Sequence, residues 1–289
     1  MTTSFRPDAS FFLSIMALDN GRILAGGAVS GSPGAFLLAR YQASGAPDTA
    51  WGNNGVITAA IPGGDAVSWD MALQADGKIL LAGYVRPSGG GSDFALIRYN
   101  PDGSLDAGFG SGGIVTQTLG ASDYAYGVLV QSDGKIVLGG LAGTSPAAGG
   151  VARYNADGSY DNSFGSAASL NYITTTVPGY ASTSFIETAL RADDGIVAAL
   201  RVGSGSPSVT GIAVFDKNGR PNSFIAPNGV ITTSNNGRNV SNYALLTQPD
   251  GKIVLAGHVD MDDTSGYQYD LALWRYILRG EVYLPIVTR

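Results

Sequence analysis

Gln74-Ala75-Asp76-Gly77-Lys78-Ile79-Leu80-Leu81-Ala82-Gly83 is the stretch that decides the fold, because versions of it return four more times. They are Asn20-Gly21-Arg22-Ile23, Asp133-Gly134-Lys135-Ile136, Asp193-Asp194-Gly195-Ile196 and Asp250-Gly251-Lys252-Ile253. With the isoleucine as register mark, the successive steps are 56, 57, 60 and 57 residues, so the chain is five copies of one unit. A period of that length, repeated along the whole chain, is the mark of a repeat architecture.

Each unit reads as four short strands, here called a to d. Ser68 to Gln74 and Tyr126 to Gln131 have the length and alternation of strand a. The Asp-Gly pair predicts a two-residue hairpin, and Lys78 to Val85 is strand b. Strand c is Phe94 to Asn100, with counterparts at Phe36 to Tyr41, Val151 to Asn155, Ile212 to Phe215 and Leu271 to Tyr276. A second turn, Asp102-Gly103 or Asp157-Gly158, leads to strand d at Gly113 to Leu119 or Tyr172 to Val177. Four antiparallel strands per unit of about 57 residues is the pattern of a propeller blade. The reading is therefore an all-β, five-bladed β-propeller, one domain over 1–289, with repeats at 5–61, 62–119, 120–177, 178–233 and 234–289. Met1-Thr2-Thr3-Ser4 stands before Asn20-Gly21 much as Ile231-Thr232-Thr233-Ser234 stands before Asp250-Gly251, which predicts that residues 1–4 are the strand that closes the ring. Val282 to Val287 competes for that place, with Pro285 forfeiting one ladder donor.

Composition excludes several classes of function. Gly 42 and only 14% charged residues fit short strands and tight turns. A net charge of −6 without a basic run excludes a nucleic-acid partner. With Cys 0 there is no disulfide framework and no thiolate metal site. No apolar run reaches the roughly 18 residues of a spanning helix, so no membrane insertion is expected. Phe11 to Ala17 is too short, and too poor in basic flanking residues, for a secretion signal.

Leu73 to Gly83, then Phe94-Ala95-Leu96-Ile97-Arg98-Tyr99-Asn100-Pro101-Asp102-Gly103-Ser104-Leu105-Asp106, then Phe109-Gly110 and Gly113, resemble the bacterial delta-60 repeat, a β-propeller repeat family of unknown function. The resemblance weakens in repeat four, where Val214-Phe215-Asp216 replaces the Arg-Tyr-Asn pattern. It implies an extracellular or cell-surface setting and no catalytic residues. Val282-Tyr283-Leu284-Pro285 resembles the tails of some secreted bacterial proteins, which points the same way.

Arg40, Arg98, Arg153 and Arg275 close strand c, and Asp48, Asp106 and Asp161 follow the first three by eight residues. In repeat four both members are lost together, as Val214 and Asn222, which predicts bidentate Arg–Asp pairs bracing the c to d turns. Arg275 has no acid at that spacing. Asn100-Pro101-Asp102-Gly103 and Asn155-Ala156-Asp157-Gly158 carry oxygen ligands, yet lack the spacing and terminal Glu of a calcium loop, and turn capping accounts for them.

In a propeller the d to a and b to c connections share one face, and here they vary while the other turns do not. Variable loops are where a site is grafted. Trp69, Tyr126 and Tyr243 stand ten residues before the marker isoleucine, and Asp70 and Glu187 stand nine before it. With Asp123 and Arg238 on the same connections, these form the candidate ligand-binding set, suited to a sugar or peptide. The rings packing between blades is the alternative. Asp260, Asp262 and Asp263, near the lone His258, are the candidate metal ligands, calcium being the expected ion. One His, no Cys and two Glu leave little for catalysis. The function expected is a non-catalytic, secreted or surface binding or scaffold module for glycan or protein, as a monomer or part of a larger chain. The alternative is a propeller hydrolase acting on a polysaccharide with carboxylates such as Asp70, Glu187 or Asp123.

Overall fold

The computed structural model describes residues 10–31, 33–165, 171–203, 208–260, 269–278 and 286–288. Its twenty strands form five four-stranded antiparallel sheets, each a simple meander. The first sheet holds β1 (Ser10–Ala17), β2 (Ile23–Val29), β3 (Ala35–Tyr41) and β4 (Val56–Ala59), the second β5 (Gly64–Leu73), β6 (Ile79–Pro87), β7 (Asp93–Tyr99) and β8 (Ile114–Gln117). The third holds β9 (Tyr124–Val130), β10 (Ile136–Ala142), β11 (Ala148–Tyr154) and β12 (Tyr172–Thr175). In the fourth are β13 (Thr183–Leu190), β14 (Ile196–Val202), β15 (Val209–Phe215) and β16 (Val230–Thr233), in the fifth β17 (Val240–Thr247), β18 (Ile253–Asp260), β19 (Tyr269–Tyr276) and β20 (Ile286–Thr288). The sheets coincide with the five sequence repeats. The chain separates into two compact units, one of 1–138 with Tyr154–Tyr160, the other of Gly139–Arg153 with 161–289. No helix among the described residues is long and apolar enough to cross a membrane.

The fourth place of the fifth sheet is filled by β20, whose Val287 pairs with Trp274. The C-terminal segment thus takes the position expected of residues 1–4, which lie outside the described residues.

The middle strands are continuous apolar runs because both of their faces are covered: Ile79 to Ala82 and Ala95 to Ile97 are all 3% exposed or less. The a to b turns differ from the expected two-residue hairpin. Gly77 N–H donates to Gln74 O at 2.9 Å and Gln74 N–H to Lys78 O at 2.8 Å. Ala75-Asp76 therefore occupy a type I turn, and Gly77, at φ +81°, supplies the left-handed third residue. Asp76 Oδ1 accepts from Lys78 N–H at 3.2 Å, and Asn20, Asp133 and Asp250 do the same in their turns. In repeat four Asp194 itself takes the left-handed place, at φ +62°.

The arginine–aspartate pairs form as expected from their spacing. Nε of Arg40, Arg98 and Arg153 donates to Oδ2 of Asp48, Asp106 and Asp161 at 2.9, 2.8 and 2.7 Å. The pairing is through one oxygen rather than bidentate, because the rest of the guanidinium is used elsewhere. Nη1 of Arg40 donates to Pro101 O at 3.3 Å, that of Arg98 to Ala156 O, and that of Arg153 to Lys217 O. Each acceptor is the second residue of the c to d turn in the next repeat. The guanidinium also covers an aromatic ring eleven residues on, Trp51 at 4.7 Å, Phe109 at 4.2 Å and Phe164 at 4.8 Å. Those rings seat the next turn's glycine: a Cβ on Gly103, Gly158 or Gly219 would fall 2.8, 2.8 or 2.5 Å from the ring of Trp51, Phe109 or Phe164. Arg, Asp and ring together clamp one repeat onto its successor. Arg275 is exposed.

The tyrosine beside this arginine reaches the previous repeat's strand d. Tyr154 O–H donates to Gln117 Oε1, and the Tyr276 hydroxyl lies 3.0 Å from Thr233 Oγ1. The place equivalent to Gln117 and Thr233 is Ala59 in the first repeat, opposite Phe36. Tyr99 packs in the same core as Ala59, and its buried hydroxyl has no partner.

Two outcomes are expected in chemical denaturation. Arg153→Val and Asp161→Asn should each destabilise by about 3–5 kcal/mol, while the double variant recovers about 0.5–3 kcal/mol of the sum, and strict additivity would refute the clamp. Tyr99→Phe should be neutral or stabilising by about 1 kcal/mol, whereas Tyr276→Phe should destabilise by a similar amount.

Candidate functional site

The first strand of a sheet carries an extra residue. Pairing slips between Phe12 and Ser14, Ser68 and Asp70, Phe185 and Glu187, and Asn242 and Ala244. The residues left over are Leu13, Trp69, Ile186 and Tyr243, all ten before the marker isoleucine. Opposite the residue that precedes the slip stand Gly27, Gly83 and Gly257. A Cβ there would lie 2.0, 1.9 and 2.0 Å from the carbonyl oxygens of Phe11, Val67 and Ser241. That close approach is why the recurring stretch ends in glycine. A bulge re-aims its side chain: Leu13 is 41% exposed, Trp69 36% and Tyr243 66%, whereas Ile186 packs half-buried against the apolar cluster around Trp274.

In the first unit, Trp69 lies edge-on to Tyr126, ring centres 5.4 Å apart. Tyr126 runs parallel to Tyr124 at 6.1 Å, and Tyr124 stands edge-on to Tyr84 at 5.0 Å. Arg86 sits 5.3 Å from the centre of the Tyr84 ring. Its Nη2 donates to the Tyr124 hydroxyl at 3.0 Å and its Nε to Ser92 Oγ at 3.1 Å. Hydrogen bonding to Ser92, and next to Arg86, pulls the Tyr124 hydroxyl below its ordinary range; burial pushes that of Tyr84 up. Four rings and a guanidinium thus make a continuous platform.

Two expected ligand-binding acids do other work in this structure. Asp123 is fully buried, and its Oδ2 accepts from the N–H groups of Leu119 and Gly120 at 2.6 and 2.9 Å. Its own N–H donates to Ser92 O at 2.6 Å, so it ties the loop that presents Tyr124 to the loop that presents Ser92. Asp70 accepts from Met71 N–H at 2.8 Å through Oδ1 and from Val128 N–H at 2.9 Å through Oδ2, joining β5 to β9. Burial raises its carboxyl to about 6, against the two hydrogen bonds that favour the anion.

In the second unit, Tyr243 lies 5.4 Å from the His258 ring, and His258 lies 4.4 Å from that of Tyr269. His258 Nε2 is 3.3 Å from Asp260 Oδ1, and Asp260 Oδ2 accepts from Asn239 Nδ2 at 3.2 Å. Asp260 thus already has two partners, and Asp262 and Asp263 lie outside the described residues. No group of three His, Cys, Asp or Glu is gathered as a metal would require among the described residues. Glu187 contacts its neighbour's N–H, Thr188, at 3.3 Å, as Asp70 contacts Met71. Arg238 closes the turn before β17 through its N–H to Asn235 O at 2.9 Å.

Trp69 and Tyr126 therefore come together, and Tyr243 belongs to a second cluster. Sequence reading missed Tyr84, Arg86 and Ser92. The signal was present at the position five after the marker, which is Tyr84 and His258 here but Ala28, Leu141 and Arg201 in the other repeats. Trp69 with Tyr84, and Tyr243 with His258, are the same pair of repeat positions used twice. A groove of about 500 Å³ lined by Ile61, Pro62, Ile114 and Tyr160 includes none of the expected residues.

Residues 18–50, 74–109, 131–164 and 248–276 match the model of a β-propeller domain of unknown function, DUF5122. No curated protein matches the sequence. Among solved structures, the chain is similar to an ulvan lyase of polysaccharide lyase family PL25, with 12% identity, 93% of this chain and 69% of that chain covered, and a TM-score of 0.54. It is likewise similar to the polysaccharide lyase Uly1, with 11% identity, 100% and 74% covered, and a TM-score of 0.53. At these identities the likeness is one of fold, and the family model matches one stretch in each of four of the five repeats.

Proposed function

We propose that this protein is a non-catalytic carbohydrate-binding β-propeller module that works outside the cell, built of delta-60-type repeats whose five sheets are the blades of one ring. The observation that carries the reading is the platform Trp69–Tyr126–Tyr124–Tyr84. An exposed Trp69 continued by three half-buried tyrosine rings, in edge-on and parallel contacts and flanked by hydroxyl and guanidinium donors, suits the alternating C–H and O–H faces of a sugar. The reuse of the same two repeat positions around Tyr243 and His258 supports binding at separate, similar sites rather than at one reaction centre. Two proteins of similar fold are polysaccharide lyases, which agrees with a glycan ligand. A calcium contribution rests on Asp260, Asp262 and Asp263 and is tested by adding a chelator.

The hydrolase alternative needs two carboxylates about 5 to 9.5 Å apart around a sugar. Asp123 is turned into its own loop, and both oxygens of Asp70 hold strand N–H groups. In this reading Asp70 is a strand fastener whose burial happens to raise its pKa.

A glycan array followed by calorimetry tests the reading. Trp69→Ala or Tyr126→Ala should weaken the glycan bound by the first unit by about tenfold or more, and Tyr243→Ala should act independently of both. Binding untouched by all three would sink the proposal. For Asp70, a folded pKa of about 6 against the ordinary 3.8 means the native state holds the proton more tightly. Its stabilising effect is complete below about pH 4 and is lost as pH rises through 6, at most about 3 kcal/mol. Asp70→Asn should flatten that slope in pH-dependent denaturation and leave glycan binding intact. Glycan turnover by the wild type that disappears in Asp70→Asn would instead establish the hydrolase.

A further inference from the structure

We infer that the platform selects acidic sugars, with Arg86 as the group that receives a uronic-acid carboxylate. The inference rests on the carbohydrate reading above and names the class of glycan. Its starting point is the company Arg86 keeps. Arg22, Arg40, Arg98, Arg153 and Arg191 all lie within 2.7–3.3 Å of an aspartate oxygen. The groups that touch Arg86 are instead neutral, namely the Ser92 hydroxyl on Nε, the Tyr124 hydroxyl on Nη2 and the face of Tyr84, while Asp65, its cross-strand partner, acts on it through space without forming an ion pair. Its side chain is exposed, at the end of β6 beside the ring platform.

A guanidinium has five N–H donors in a rigid fork. Two are used here, by Ser92 and Tyr124, so both N–H groups of Nη1 and one of Nη2 remain for a ligand. One N–H of Nη1 and the remaining one of Nη2 can form the end-on edge of the fork, which meets the two oxygens of a planar carboxylate in parallel. The tether to Ser92 and Tyr124 fixes the orientation before the ligand arrives, which lowers the ordering cost that a free surface arginine would carry. Asp123 contributes at one remove. It fastens the Tyr124 loop to Ser92, so both anchors of Arg86 are themselves fixed. The protein as a whole carries a net charge of −6 and would repel an anionic polymer. A cation that hydrogen-bonds only to neutral groups, placed beside stacking rings, makes one spot where a sugar ring and its carboxylate are taken together. The equivalent place seven after the marker is Ser30, Gly143, Gly203 and Asp260 in the other repeats, so the selectivity belongs to the first unit's cluster alone.

The test compares polygalacturonate, the same polymer fully methyl-esterified, and a sulfated galactan, each titrated into the full chain at low and at physiological salt. Free polygalacturonate should bind about tenfold or more tightly than its ester, with the preference shrinking as salt rises. Arg86→Gln should bring the two to equal affinity without changing the melting temperature by more than a few degrees, and Arg86→Lys should recover only part of the preference. Trp69→Ala should weaken both polymers alike. If acid and ester bind the wild type equally, the role of Arg86 is overturned while the carbohydrate reading stands. Tighter binding of the sulfated galactan than of polygalacturonate, lost in Arg86→Gln, would overturn the carboxylate as the group received. If no polymer in the set and no glycan on the array binds, the carbohydrate reading falls and this inference with it.

Discussion

A buried guanidinium has to be answered on every side, and in this chain the answers come from two repeats at once. Arg98 gives Nε to Asp106 of its own repeat and Nη1 to the carbonyl of Ala156 in the next, with Phe109 beneath it. An ion pair inside one repeat would brace a turn and nothing more. Because the remaining donors reach a carbonyl about one period further on, the charge cannot be satisfied unless the next turn is in place. Burial makes that requirement strict, since an unpaired guanidinium in a packed setting is far more costly than an exposed one. The constancy of the c to d turns follows. Each must offer a carbonyl at its second residue and a glycine that a ring can touch, and Asn-Pro-Asp-Gly and Asn-Ala-Asp-Gly do both.

Repeat four shows what is left when the charge is removed. Val214, Asn222 and Ile225 stand where arginine, aspartate and ring stand elsewhere, all three changed together. The backbone is unaltered: Asn222 N–H still donates to Val214 O at 2.9 Å and Ile225 N–H to Asn222 O at 3.1 Å. Val214 and Ile225 join one apolar cluster with Ile253 and Trp274, so apolar contact replaces the ionic clamp. An apolar substitute for a buried ion pair is often as stable as the pair itself. The replacement is incomplete at Asn222, whose buried Oδ1 has lost its natural donor. Arg–Asp is therefore one of two solutions to the same packing problem.

The sheets and their order were legible because the marker isoleucine and the Asp-Gly turns repeat, and the Arg–Asp pairs because Val214 and Asn222 lost both members jointly. The bidentate geometry was not, since nothing at a spacing of eight residues reveals an acceptor some 60 residues away. The two-residue hairpin was also misread. Asp-Gly is compatible with two loop lengths, and the hydrogen bond from Gly77 to Gln74 selects the longer one. At the candidate site, Trp69 and Tyr126 were visible as aromatic exceptions at one repeat position. Asp70 and Asp123 looked equally available because a sequence shows a carboxylate but not the N–H groups that use it. Tyr84 and Arg86 escaped notice for the opposite reason: they lie inside an apolar strand run, where a tyrosine reads as core.

The bulge links these two layers of the molecule. One turn end is held by clamps that tolerate little variation, and the other end has only to leave the strands paired. Between them, the extra residue in strand a lifts Leu13, Trp69 or Tyr243 out of the alternation that would have buried or hidden it, while Gly27, Gly83 or Gly257 gives the strand room to bend. The position accepts different chemistries, since Ile186 packs there against the apolar cluster around Trp274 while Leu13, Trp69 and Tyr243 stand exposed. Leu13 uses it for nothing polar, Trp69 for a ring platform and Tyr243 for a contact with histidine. A repeat protein can therefore vary its ligand chemistry at this place, and at the facing position five after the marker, without disturbing the joints that hold one repeat to the next.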